Sequence, residues 1–212
     1  MKAPAALVLL ALLAAACQQD GRRVEPLPVP APETEADTGR RGVALERPIE
    51  DFTLTDDRGE TFRLSDLEGR TVLLAFGYTH CPDACPMTLS AFRAVKERLG
   101  EHARRSAFVF VSLDGARDTP QVLHRYVKHF DPEFIGLTGP KAALDAIAPA
   151  FGLYYEIRRP PDGSENYTVD HTVSTYLIDQ QGRLRYVYPF QTPPEEIAGD
   201  TLALLGQGSA GS

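Results

Sequence analysis

Residues 71–86 read TVLLAFGYTHCPDACP and combine a run of apolar side chains with two closely spaced cysteines. The uncharged run 71–76 is typical of a strand that is buried on both faces of a sheet. Apolar residues at 89, 92, 95 and 99 follow with the period of a helix, which Gly100 ends. Cys81 and Cys85 therefore lie where a central strand passes into a helix.

Strand and helix patterns alternate along the rest of the domain. An alternating hairpin at 51–64 precedes the central strand. Strand–helix alternation produces a parallel sheet covered by helices. We predict an α/β, thioredoxin-like fold with a mainly parallel central sheet, flanking helices, an N-terminal β-hairpin and a C-terminal antiparallel hairpin. Further strands are predicted at 107–111, 134–137, 174–178 and 184–188, and helices at 87–99, 120–130, 141–151 and 194–205.

The N-terminal 47 residues lack the patterns of a folded domain. Residues 3–16 form an uncharged, Ala- and Leu-rich run that is shorter than the roughly 20 residues of a bilayer span but typical of a signal segment. Small residues then precede Cys17, as at the cleavage site of bacterial lipoproteins, where the cysteine becomes the lipidated first residue. Ordinary cleavage and an uncleaved anchor are the alternatives. Residues 18–47 are Pro-rich and contain few large apolar side chains, which predicts a disordered tether.

These segments predict four parts of the chain. They are a lipoprotein-type signal segment at 1–17, the tether at 18–47, a thioredoxin-like domain at 48–205 and a flexible tail at 206–212. The predicted location is outside the cytoplasm, on the periplasmic or extracytoplasmic side, with a lipid on Cys17 as membrane anchor.

Charge and cysteine content exclude several classes of function. The 212-residue chain has a net charge of −7 and a pI of about 5.3, which argues against nucleic acid as a partner, because phosphate binding needs a basic face. Three cysteines are too few for a scaffold held by disulfides. An isolated cysteine pair in an exported domain instead indicates metal or redox chemistry.

The spacing of Cys81 and Cys85 allows two kinds of chemistry. Residues four apart on a helix or turn have Cβ atoms about 5–6 Å apart. Two thiolates can then meet at one soft metal ion, or the pair can form a disulfide. Soft thiolates select Cu(I), zinc or iron–sulfur clusters. Structural zinc and such clusters need further cysteines that this sequence lacks, whereas a three-ligand copper site needs only one more donor.

Five histidines are candidates for that donor. His171 lies just ahead of the predicted strand at 174–178, after a polar loop that could carry it over the cysteines. Asp170 beside it is a candidate for orienting the ring from the second ligand shell. His80 adjoins Cys81, but neighbouring side chains usually point apart. The others, His102, His124 and His129, follow or lie on helices and are expected to face solvent.

Four motifs in order carry a resemblance to a known family. They are GYTHCPDACP at 77–86, VSLD and RDTP within 111–120, GLTG at 136–139, and VDHT at 169–172 followed by YLI at 176–178. Over residues 48–205 the chain resembles the Sco/SenC family of copper-binding, thioredoxin-like proteins that help assemble cytochrome c oxidase. Gly115 departs from the family pattern, which usually has Pro there. The resemblance implies that Cys81, Cys85 and His171 are copper ligands.

The resemblance implies a copper metallochaperone that binds one ion, as Cu(I), Cu(II) or both, and delivers it to the CuA site of cytochrome c oxidase subunit II. A second copper chaperone or a thioredoxin-like reductant is a further candidate partner. The alternative is an enzyme, a thiol–disulfide reductase that uses Cys81 and Cys85 to keep the CuA cysteines reduced. The C-x-x-x-C spacing of this sequence and the absence of Pro before Ser174 count against the reductase role. The position of Thr79, two residues before Cys81, counts against a thiol peroxidase.

Overall fold

The structure, a computed structural model, describes residues 42–162 and 166–207. The predicted signal segment with Cys17, the predicted tether before residue 42 and the end of the predicted tail at 208–212 lie outside the described residues. None of the described helices combines the length and apolar character that crossing a membrane requires.

The described residues include ten strands, four α-helices and two 3-10 helices. The strands are β1 (Val43–Pro48), β2 (Thr53–Asp56), β3 (Thr61–Arg63), β4 (Thr71–Gly77), β5 (Ser106–Ser112), β6 (Ile135–Thr138), β7 (Tyr155–Arg158), β8 (Thr168–His171), β9 (Ser174–Ile178) and β10 (Arg183–Pro189). The helices are α1 (Ala84–Leu99), α2 (Pro120–Phe130), α3 (Lys141–Phe151) and α4 (Pro194–Gln207), with 3-10 turns at Leu64–Leu67 and Gly100–Arg105.

Eight of the described strands form one sheet in the order β1-β10-β9-β4-β5-β6-β2-β3. Strands β4, β5 and β6 at its centre are parallel. The hairpins β2–β3 and β9–β10, both predicted, extend it with antiparallel strands on either side. The sheet is therefore mixed rather than mainly parallel, because only the strands joined through helices run in the same direction.

Helices cover both faces of the central strands. Phe76 of β4 packs against Phe151 of α3, with ring centroids 5.1 Å apart. Phe108 of β5 packs against Phe92 of α1, at 5.9 Å. Phe76 is paired with Val111, so it lies on the face of the sheet opposite to Phe108. The two-sided burial explains why β4 and β5 are apolar throughout.

The structure extends the domain at its N-terminal edge. Strand β1 pairs with β10, so the sheet begins at Val43, five residues before the predicted boundary at residue 48. Every residue of β1 is exposed, and an edge strand without a buried face gives no alternating apolar signal. Residues 43–47 are thus part of the sheet instead of the tether, and α4 likewise takes up residues 206 and 207 of the predicted tail.

A second, two-stranded sheet was not predicted. Strands β7 and β8 form an antiparallel hairpin in which Tyr155 pairs with His171. Only Val169 is buried among the residues of the two strands, so the sequence has little apolar character there. This hairpin, residues 155–171 without the undescribed 163–165, is called the β7–β8 hairpin below. It places His171 at the end of a strand, in a stretch for which the sequence had predicted neither a strand nor a helix.

Candidate metal centre

The cysteine pair lies at the junction of β4 and α1. Gly77 ends β4, and α1 begins at Ala84, three residues earlier than its apolar pattern indicates. Cys85 is consequently in the first turn of the helix, with 2% of its surface exposed, whereas Cys81 in the preceding loop is partly exposed. Both thiols are free. The Cys81 sulfur is thus accessible to a partner, whereas the Cys85 sulfur is enclosed by the protein.

The hydrogen bonds of the pair favour a thiolate on Cys81. The Cys85 thiol bonds to the Cys81 sulfur, and backbone amides of residues 83–85 at the start of α1 also bond to it. The thiol bond and these amides lower the pKa of Cys81 to about 5, against the opposing effect of burial. The bond to Cys81 and burial raise the pKa of Cys85. Cys81 is therefore the thiolate of the metal-free pair.

A buried carboxylate holds the loop that leads to Cys81. Asp118 is fully buried and accepts hydrogen bonds from the Thr79 amide (2.8 Å), the Thr79 hydroxyl (2.6 Å) and the Ser112 hydroxyl (2.6 Å). It connects the end of β5 to the loop after β4. Since three donors satisfy the carboxylate, it fixes the course of the loop two residues before Cys81.

His171 reaches the same region from β8. Its ring lies edge-on to Tyr78, with centroids 6.2 Å apart. Its Nδ1 is 2.9 Å from the Thr172 carbonyl oxygen. Because a carbonyl only accepts, Nδ1 carries the proton, and the Nε2 lone pair is left for a metal ion.

The two cysteine sulfurs adjoin each other, and His171 contacts Tyr78 in the segment that leads to them, but the three predicted donor atoms do not all lie as close together as around one ion. Donor atoms on one ion lie within about 4.6 Å of each other, given metal–ligand bonds of about 2.0–2.3 Å. Among the described residues, the group whose donor atoms all lie within 4.8 Å is His80, Asp114 and Asp118 instead. Both carboxylates in that group already accept hydrogen bonds from other side chains. His171 must approach the sulfurs to complete the predicted site.

Asp170 does not take the orienting role predicted for it. Neighbouring residues on a strand project to opposite faces, so Asp170 and His171 point apart. The Asp170 carboxylate accepts a hydrogen bond from Arg158 Nε at 3.1 Å. The Thr172 carbonyl is the partner of the imidazole, and a backbone group carries no sequence signal.

Of the other histidines, His80 and His124 have polar partners of their own. His80 Nδ1 is 3.1 Å from the Thr79 hydroxyl. His124 Nδ1 is 2.7 Å from the buried carboxylate of Asp57, far along the chain from the cysteines. His102 and His129 are exposed, as predicted.

The donor set suits copper. Two sulfurs and one imidazole nitrogen are the ligands that copper accepts in both oxidation states, since thiolate favours Cu(I) and imidazole suits Cu(II). The sequence interpretation missed the residues that support these donors, Asp118, Asp114, Arg117, Tyr78 and Tyr167. All but Tyr167 lie within the quoted motifs. The charged residues among them follow buried strands closely, and that position could have identified them from the sequence.

Comparisons with known proteins show which family the chain resembles. The sequence profile described as SCO1/SenC matches residues 44–206. The SCO2-like protein of Rickettsia felis is 40% identical over 147 residues, which are 69% of this chain and 72% of that protein.

Two solved structures show the same fold. The structure of Bradyrhizobium japonicum ScoI with copper bound is 34% identical, with a TM-score of 0.68, and covers 74% of this chain and 99% of that one. BsSco, in which a disulfide switch was identified, is a member of the Sco family of cytochrome c oxidase assembly proteins. It is 25% identical, with a TM-score of 0.60, and covers 77% of this chain and 96% of that one. The predicted α/β, thioredoxin-like fold class is confirmed.

Proposed function

The chain belongs to the SCO1/SenC family, and we propose that it is a copper metallochaperone that holds one ion through Cys81, Cys85 and His171. We further propose that it assists assembly of the CuA site of cytochrome c oxidase, with subunit II as recipient. The observation that carries the proposal is the pair of adjoining thiols at the start of α1, together with the contact of the His171 ring with Tyr78 in the segment that leads to Cys81. Copper bound to a relative of the same fold supports it.

The three ligands have different parts in the proposed cycle. Cys85 is buried and retains the ion, while Cys81 is partly exposed and meets the incoming ligand of the recipient. A three-ligand site leaves room for a fourth ligand, so copper passes by ligand exchange without release into solvent. Binding displaces the Cys85 proton, so uptake weakens as the pH falls.

Copper binding and transfer test the proposal together. Full-length protein carrying Cys17→Ser, which keeps the N-terminal thiol from binding copper, is titrated with Cu(I) and Cu(II). We expect one equivalent of tightly bound copper, loss of binding in Cys85→Ala, and metallation of a copper-free CuA domain. Binding that survives Cys85→Ala, or a loaded protein that leaves the CuA domain empty, would reject the chaperone role.

The asymmetry of the thiols favours a second candidate, the reductase. The Cys81 thiolate would attack a disulfide of the partner, forming a mixed disulfide and releasing the partner's other sulfur as a thiolate. Cys85 would then lose its proton to that thiolate and attack the Cys81 sulfur. The step oxidises Cys81 and Cys85 to a disulfide and leaves the partner with two reduced cysteines, so a thioredoxin-like reductant must regenerate the pair.

A trapping experiment separates the candidates. Cys85→Ala retains the attacking Cys81 and lacks the second thiol, so a reductase accumulates the mixed disulfide with an oxidised CuA domain. Cys81→Ala is the matched control, because only the buried thiol remains. Copper transfer by the parent without a trapped adduct in Cys85→Ala would set the reductase aside.

We also propose that Cys17 is the lipidated anchor, which would hold the domain at a membrane on the extracytoplasmic side. The support is the apolar run and the small residues before Cys17. Cys17→Ser should release the exported protein from membranes. Persistent membrane association of that variant would indicate a different anchor.

A further inference from the structure

Tyr167 joins the β7–β8 hairpin to the loop after β5. It directly precedes β8 and has 5% of its surface exposed. Its hydroxyl donates a 2.6 Å hydrogen bond to the buried carboxylate of Asp114. The bond crosses 53 residues of sequence, so it fixes two distant segments against each other.

Arg117 closes this connection into a network. Its guanidinium carbon lies 3.5 Å from the centroid of the Tyr167 ring, and its Nη1 donates to the Tyr167 carbonyl at 3.0 Å. Its Nε donates to Asp114 Oδ2 at 2.5 Å. Arg117 therefore contacts the ring and the backbone of Tyr167 and also Asp114, the carboxylate to which Tyr167 donates.

The strand transmits this contact toward the metal centre. Alternate residues of a strand share one face, so Val169 and His171 of β8 point the same way, and Tyr167, immediately before the strand, continues the alternation of buried and exposed residues. Tyr167 and Val169 are buried, and His171 is partly exposed at the end of the row. The Val169 backbone lies beside the Tyr78 hydroxyl, and the Tyr78 ring contacts His171. The position of the imidazole is thus tied to Tyr167, four residues away.

We propose that Asp114, Arg117 and Tyr167 form a latch that positions His171 as the third copper ligand and so determines the affinity for Cu(II). The inference rests on the proposed three-ligand site. The latch residues are positioning residues, since each acts on copper only through His171.

The latch should discriminate between the two oxidation states. Two thiolates satisfy Cu(I), which is soft, whereas Cu(II) is harder and gains from an imidazole. Loosening the hairpin therefore weakens Cu(II) binding and leaves Cu(I) binding nearly unchanged. A general loss of folding would weaken both.

Tyr167→Phe tests the latch, and Tyr154→Phe is its matched control. Tyr154 lies immediately before the β7–β8 hairpin, and its exposed hydroxyl also donates to a carboxylate, Glu156, at 2.7 Å. In full-length protein carrying Cys17→Ser, we expect Tyr167→Phe to weaken Cu(II) binding about tenfold, the size of one hydrogen bond to a charged group. We expect the control to change it less than about twofold, and Cu(I) binding to remain within about twofold of the parent in both variants.

A double-mutant cycle with His171→Ala separates positioning from general destabilisation. Once the imidazole is absent, Tyr167→Phe should cause no further loss of Cu(II) affinity. In the metal-free protein, the Val169 amide should exchange with solvent faster in Tyr167→Phe than in Tyr154→Phe. If Tyr167→Phe does not fold, Arg117→Lys replaces it, because lysine keeps the charge and loses the planar donor fork.

The outcomes distinguish this inference from the proposed function. If His171→Ala binds Cu(II) as tightly as the parent, the three-ligand site fails and the latch with it. If binding depends on His171 but Tyr167→Phe equals Tyr154→Phe, the latch alone is wrong. An equal loss of Cu(II) affinity with and without His171 would also overturn it.

Discussion

Gly77 lies directly against Cys85: a Cβ built on Gly77 would fall 2.5 Å from the Cys85 sulfur and 2.8 Å from the Phe110 ring. Strand β4 therefore ends in glycine because the sulfur occupies the space of a side chain. The Leu113 amide donates to the Gly77 carbonyl at 2.7 Å, so the backbone at this point is also tied to the segment after β5. The position of the buried Cys85 thiol is consequently set by the backbone of the central strand.

Gly77→Ala should therefore displace Cys85 and weaken copper binding. We expect the free energy of unfolding to fall by about 1–3 kcal/mol, the usual cost of overpacking a core. Gly199→Ala is the control: no atom lies within 4 Å of its added Cβ, and it is within α4. It should raise the free energy of unfolding by about 0.5–1 kcal/mol. Urea unfolding of both variants checks the pair, and equal stability of Gly77→Ala and the parent would contradict this packing.

The two thiols should react with iodoacetamide at very different rates. The thiolate is the reactive form, and Cys81 has a pKa of about 5, so it stays a thiolate until the pH falls to that value. Alkylation of Cys81 should be nearly constant from about pH 8 to pH 6 and halve near pH 5, while Cys85 stays unmodified. An ordinary thiol, with a pKa of about 8.5, would lose about tenfold in rate per pH unit over that range.

Cys85→Ala is the matched variant for this pH profile. It removes the thiol that donates to Cys81, the largest cause of the lowered pKa. The alkylation midpoint should move to higher pH, and mass spectrometry of the modified peptide follows it. A parent midpoint already between pH 8 and pH 9 would show that the Cys81 thiolate is not stabilised.

Asp118→Asn should loosen the loop before Cys81. The amide nitrogen of asparagine cannot accept, so the three donors from Thr79 and Ser112 can no longer all bond to this side chain without reorientation of a hydroxyl. We expect a loss of about 2–3 kcal/mol in the free energy of unfolding, measured with urea. Asp145→Asn alters an exposed ion pair with Lys141 and should change stability little. Equal effects of the two variants would remove Asp118 from the account of the site.

The sequence revealed the elements with a strong apolar pattern. Helices α2 and α3 and strand β9 begin and end as predicted, because each has periodic apolar residues and a clear boundary such as Pro120. Strands β1, β7 and β8 escaped prediction, since they have few or no buried residues and depend on backbone pairing. Pairing between distant segments leaves no local pattern.

The residues of the site likewise differ in how far the sequence could identify them. Cysteine spacing identified Cys81 and Cys85 as chemical groups, and the family resemblance was needed to select His171. Spacing could not reveal that Cys85 is the protected thiol, or that Tyr167 reaches Asp114 across 53 residues. These relationships depend on the tertiary packing of β4, β5 and β8.

The proposed site holds one copper ion through Cys81, Cys85 and His171. The most direct test is Cu(II) titration of the full-length Cys17→Ser protein, with absorption and electron paramagnetic resonance spectra of the loaded forms. His171→Ala should bind Cu(II) at least about tenfold more weakly and lose the spectral signature of nitrogen ligation. The exposed His102→Ala should match the parent. Unchanged affinity and spectrum in His171→Ala would contradict the three-ligand site.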